Sequence, residues 1–212
     1  MHKNLITLLL LTVTSLTLLK AQITLPPSGD NQKCEVAQYI GLVKVALMWG
    51  SPDVHGPGGE DRTGKVWGEL VPYGLSNLDF GLSDENHLMP WRAGANENTV
   101  FAVSHDVQIE GKPLPAGKYG LHMIPGKDEW VIIFSKNHTS WGSYFYQQSE
   151  DALRVTVKPQ ATAYTEWLTY EFDDRKPASC TVRLRWEKIA VPFKVSVPNI
   201  NELYLANIRE EL

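Results

Sequence analysis

The side chains best suited to chemistry fall in one short run, Trp91 to Thr99. Arg92, Asn96 and Glu97 flank a turn containing Gly94, with Trp91 at its start. A guanidinium can clamp an anion through its planar fork of donors, and an amide and a carboxylate can fix a small polar molecule beside it. The competing reading pairs Arg92 with Glu97 and uses Asn96 to cap the turn, so that the cluster serves only its own backbone. A second group, Trp141-Gly142-Ser143-Tyr144-Phe145-Tyr146, concentrates four rings. On an exposed loop Trp141 and Tyr144 would stack on sugar faces, whereas the alternative folds the rings onto the core. Histidines 55, 87, 105, 122 and 138 are scattered. A metal needs three or four converging ligands, and the weak candidates are His105 and His122 with Glu97. Neither an HxH nor an HExxH spacing supports them. Ser104-His105-Asp106 holds the residue types of a hydrolase triad, but strand neighbours point to opposite faces and cannot form one relay. No phosphate loop or nucleophile elbow is present, so the expectation is no catalytic residue and no cofactor.

These residues must be positioned mainly by strands. Val36–Ile40, Val43–Trp49, Lys65–Val71, Thr99–His105, Val107–Glu110, Lys118–Ile124, Glu129–Ser135, Leu153–Val157, Leu168–Phe172, Cys180–Trp186 and Val191–Val197 read as extended, most with period-two alternation. Leu153, Val155 and Val157 face in while Arg154, Thr156 and Lys158 face out. Val131–Phe134 is apolar on both faces, which predicts a central strand. Gly50–Gly64 carries five glycines and two prolines and reads as a loop, and Ser76–Met89 is a second irregular insert. After Pro198, residues 199–212 read as a helix with Asn199 as N-cap and Glu202 as its capping-box partner. The fold class is therefore all-β: a single antiparallel β-sandwich over residues 22–198, followed by a short C-terminal helix.

The 212 residues suffice for one well-cored domain, and a 43% apolar fraction excludes wholesale disorder. Lys3, the apolar run Leu5–Leu19 and a small residue at Ala21 form a secretory signal peptide over residues 1–21, so the mature protein is expected to be periplasmic or extracellular. Removing Lys3 and Lys20 leaves 18 basic against 24 acidic side chains, a charge of −6. With no basic stripe, nucleic acid is not an expected partner, and no membrane span is expected after cleavage. Export permits a disulfide, and Cys34 and Cys180 both lie in phase with core-facing neighbours. The expected bridge would tie the first strand to one of the last, the alternative being two buried thiols.

Several segments resemble a family of secreted bacterial proteins known as domain of unknown function 2911. They are Ile40–Val45 (IGLVKV), Gly68–Gly74 (GELVPYG), Trp91–Glu97 (WRAGANE), Leu114–Gly120 (LPAGKYG), Glu129–Phe134 (EWVIIF), Trp141–Ser143 (WGS), Glu150–Val155 (EDALRV) and Trp186–Lys188 (WEK). They cover most of residues 36–197, and Trp91–Glu97 is the most specific. The resemblance implies an exported, β-rich domain and no settled activity. Two departures stand out. Leu75–Pro90 intervenes where relatives run from the VPYG turn almost directly into the Trp-Arg motif. Leu47–Pro52 (LMWGSP) also stands where relatives often carry a Tyr-Ser-Arg-Pro-like run, so a site arginine there would be missing. Some relatives continue into a helical extension, and the ending at Leu212 would suit a chain cut short of it.

The expected function is a non-catalytic exported module binding a small polar ligand, a glycan or an envelope protein. Trp91, Arg92, Asn96, Glu97, Trp141 and Tyr144 would form its ligand-binding set. The alternatives are a metal-dependent hydrolase using His105, His122 and Glu97, or a purely structural envelope domain.

Overall fold

In the segment Val43–Ser51 every odd residue is buried, while Lys44 and Met48 are exposed. That period-two burial makes one face of a pleated strand the floor of a core. The computed structural model describes residues 31–56 and 58–212, and the signal peptide expected over 1–21 lies outside them. Among the described residues ten strands and one α-helix run in chain order: β1 (Gln32–Ile40), β2 (Val43–Ser51), β3 (Ala95–Val103), β4 (Val107–Ile109), β5 (Lys112–Leu114), β6 (Gly117–Ile124), β7 (Trp130–Ser135), β8 (Asp151–Val157), β9 (Gln160–Lys176), β10 (Ser179–Ser196) and α1 (Ile200–Glu211). Every pairing between them is antiparallel. One sheet has the order β1-β2-β3-β6-β7-β8 and the other β5-β4-β10-β9.

The two sheets close over an aromatic core. Phe101 and Phe134 from the larger sheet meet Phe193 from the smaller at 6.0 and 5.9 Å. Trp49 meets Tyr170 edge-on at 5.1 Å, and its indole N–H donates to the Leu168 carbonyl across the sandwich. Such edge-to-face pairs add to the burial of the rings themselves. β7 is buried on both sides because the outer face of its sheet is also covered. There Ile133 packs with Met89 and Tyr146, which come from the insert before β3 and the loop after β7.

Four sequence expectations are corrected. Lys65–Val71 forms turns with an isolated bridge between Trp67 and Val71, because Gly64 and Gly68 both take positive φ. Cys180–Trp186 and Val191–Val197 belong almost wholly to one continuous strand, β10, whose register shifts around Glu187 absorb the break in pattern. Asn199 sits at φ +56 and makes no side-chain cap; its backbone carbonyl alone takes the Glu202 N–H. Finally, Cys34 and Cys180 are free thiols. Cys34 lies opposite Trp49, at the level of Tyr170 and its partner Leu184, whereas Cys180 lies four residues further along β10. Four residues of strand span about 13 Å, beyond the reach of a disulfide.

Candidate functional site

Trp91 and Arg92 are neighbours in the chain just before β3, and their side chains serve different places. Trp91 exchanges both backbone hydrogen bonds with Met123, which fixes it to the end of β6. Its ring enters a cluster of four indoles: Trp67 meets Trp91, Trp130 and Trp186 edge-on at 5.6, 5.0 and 5.5 Å, and Trp91 stacks with Trp186 at 6.3 Å. The turn that follows is pinned from inside. The Ala93 carbonyl accepts hydrogen bonds from the Thr99 and Tyr170 hydroxyls, which holds Ala93 at φ +52.

Arg92 serves this turn from the outer face of the larger sheet. Its Nη1 donates to the Asn96 carbonyl at 2.6 Å, and its guanidinium lies 4.6 Å from the centre of the Tyr144 ring. Glu97 pairs instead with Lys33 at 3.2 Å, so the expected Arg92–Glu97 ion pair does not form. The side chain of Asn96 accepts a hydrogen bond from Asn31. Arg92 is thus occupied by the protein, and Tyr144 is occupied by Arg92. Trp141 stays exposed beside them, as do Phe80 and Phe145. Gly142 has φ +62, and a Cβ there would lie 2.3 Å from Arg92 Cζ. Gly142→Ala should therefore cost about 2 kcal/mol, from the left-handed backbone and displacement of the guanidinium; the shift in urea midpoint at unchanged slope reads it.

Beneath Arg92 lies His122, 2% exposed, with Nδ1 2.8 Å from the Ser143 hydroxyl and its ring against Tyr146. Burial, helped by the charge of Arg92, drives its pKa from 6.5 down to about 3. His105 is in the turn after β3, hydrogen-bonded to Ser104. β3 pairs Thr99 with Leu121, so His122 sits near one end of that strand and His105 beyond the other, about 20 Å apart. With Glu97 turned to Lys33, the three weak metal candidates do not converge. Among the described residues no group of three or more His, Cys, Asp or Glu side chains does.

What the fold does assemble is a cleft of about 330 Å³ at the margin of the indole cluster. Trp91 and Trp186 line it, with Pro52, Val71, Asn31 and the ion pair Asp53–Arg62. That pair is loose, 3.7 Å from Nη1 to Oδ1, although the side chains are only 28% and 12% exposed. Neither the guanidinium nor the carboxylate makes a hydrogen bond of 3.5 Å or less among the described residues, and a second contact from Arg62, to Glu60, is 4.0 Å. Both flanks of the loop carrying these residues are anchored. The backbone N–H groups of Val54 and His55 donate to the carbonyl and carboxylate of Glu166, and that of Gly64 to Glu187. Although its desolvation opposes this, hydrogen bonds from Tyr164 and His55 hold Glu166 down at about 2. Asp53, Arg62 and Trp186 escaped the sequence reading. Asp53 and Arg62 lie in a loop without periodicity, and Trp186 reads as one more inward strand residue.

No curated protein and no solved structure matches the chain. The family model described as protein of unknown function (DUF2911) matches residues 31–195, which run from just before β1 almost to the end of β10. With that match over most of its length, the chain belongs to the DUF2911 family.

Proposed function

We propose that the protein is an exported, non-catalytic β-sandwich module that binds a small polar ligand in the cleft between Trp91 and the Asp53–Arg62 pair. The observation that carries this reading is the state of that pair. Two oppositely charged, partly buried side chains face each other at 3.7 Å with no direct hydrogen bond from the described residues, their polar atoms open to the cleft beside an indole wall. Donors and acceptors left open in this way are available to a ligand, which would replace the water on them with hydrogen bonds of its own. The anchored flanks of the loop and the packed indoles favour a preformed site, which lowers the entropy lost on binding. Export rests on the N-terminal segment, and N-terminal sequencing of the protein recovered outside the cytoplasm should begin at Gln22.

The test is a thermal-shift screen of the exported protein against saccharides, amino acids, small anions, peptides and divalent metals. A cleft ligand at a hundredfold excess over its dissociation constant should stabilise the fold by about 2.7 kcal/mol. Arg62→Met should abolish that gain. A shift produced by divalent metal alone would overturn the reading in favour of a metal-binding protein. A second reading, a module docking an envelope protein, is favoured by one observation: Phe80, Trp141 and Phe145 are 60%, 45% and 42% exposed on neighbouring loops.

A further inference from the structure

Resting on the cleft reading, we infer that the ligand is a neutral polyhydroxyl compound, a single sugar residue held by two adjacent hydroxyls. Asp53 offers only acceptors and Arg62 only donors, and they stand 3.7 Å apart in the same wall. Neighbouring ring hydroxyls each donate and accept, so one can give its proton to the carboxylate while the next receives an N–H from the guanidinium. The charge balance of the wall points the same way. A simple anion attracted by Arg62 would lie against Asp53, and a simple cation drawn to Asp53 would lie against Arg62. A neutral diol meets neither penalty.

The remaining walls suit the rest of a sugar ring. Trp91 is partly exposed and lines the cleft, and its plane is fixed by Trp186 stacked with it and Trp67 edge-on to it. An indole held in this way takes the C–H face of a pyranose. Leu70 and Val71 add apolar surface at the rim, and Asn31 adds an amide. About 330 Å³ is at the small end of ligand cavities, enough for one residue rather than a chain laid along it.

The test follows the indole N–H signals of the purified protein by NMR. It is titrated separately with methyl α-glucopyranoside, methyl α-mannopyranoside and methyl α-galactopyranoside, and in parallel with glycine and sodium acetate. At least one glycoside should move the Trp91 signal saturably. Asp53→Ala should weaken that response about tenfold or more, and Arg62→Lys should weaken it while preserving the fold if the alanine variant is unstable. Trp141→Ala should leave it unchanged. Saturable shifts with glycine or acetate but with no glycoside would overturn the sugar assignment and leave the cleft standing. Glycoside shifts confined to Trp141 would overturn both the assignment and the cleft. Silence of Trp91 to every probe would also overturn both.

Discussion

Between about pH 7.5 and about pH 4.5 the protein should lose about 3 kcal/mol of stability through one side chain, His122. The imidazole is almost wholly buried, and burial with the nearby charge of Arg92 holds its pKa near 3 against 6.5 in the unfolded chain. Above 6.5 the ring is neutral in both states and costs nothing. As the pH falls below 6.5 the unfolded state takes up a proton that the folded state refuses, so stability declines until the pH nears 3. The window is favourable because Glu166, whose folded pKa is held near 2, begins to destabilise only below its ordinary value of 4.5. His55 works in the opposite sense: its hydrogen bond to Glu166 raises its pKa, so it adds stability as the pH falls. The useful readout is therefore a difference. Urea unfolding of the parent and of His122→Gln, which keeps a polar partner for Ser143 but does not titrate, should show profiles that diverge by about 3 kcal/mol across the window. Parallel profiles would mean that the folded protein protonates this ring as readily as the unfolded chain does.

His122 and the strand that carries it differ in how far their burial is legible in the sequence. The strand expected over Lys118–Ile124 is β6, and its Tyr119, Leu121 and Met123 are buried at alternate positions, because one buried face imposes a period of two wherever the other face is wet. His122 is on the other face, where alternation predicts solvent. It is buried because the irregular segments before β3 and after β7 fold back over that half of the sheet. Contacts of this kind join residues far apart in the chain and leave no periodic trace. The same limit explains the site. The run Trp91–Glu97 announced itself as polar and specific, yet its members divide between two faces: Trp91 to the cleft, Arg92 to the outer sheet. The partners that define the cleft, Asp53 and Arg62, come from a glycine-rich loop whose composition says only that it is not a strand. The cysteines failed for a related reason. Phase with the core was enough to predict which way each thiol points, but not at what height along the sandwich it stands.

Trp186→Ala should be among the most damaging single substitutions in the chain, costing about 3–5 kcal/mol in urea unfolding. The ring is 1% exposed, stacks with Trp91, meets Trp67 edge-on, and donates its indole N–H to the Glu166 carbonyl. Truncation removes the transfer energy of the indole and opens a void lined by rings too large to collapse into it. It also leaves the Glu166 carbonyl without that donor, on the strand that anchors the Asp53–Arg62 loop. Trp186→Phe, which keeps most of the apolar volume and loses the hydrogen bond, should cost about 1–2 kcal/mol. Trp141→Ala, at a ring 45% exposed, should fall within about 0.5 kcal/mol of the parent. Three tryptophan variants thus separate roles that the residue type alone cannot distinguish. If Trp186→Phe retains the cleft ligand while Trp186→Ala loses it under conditions where both remain folded, the buried ring acts by bracing Trp91. If both retain it, the cleft holds its shape without the stack, and recognition rests on Asp53 and Arg62.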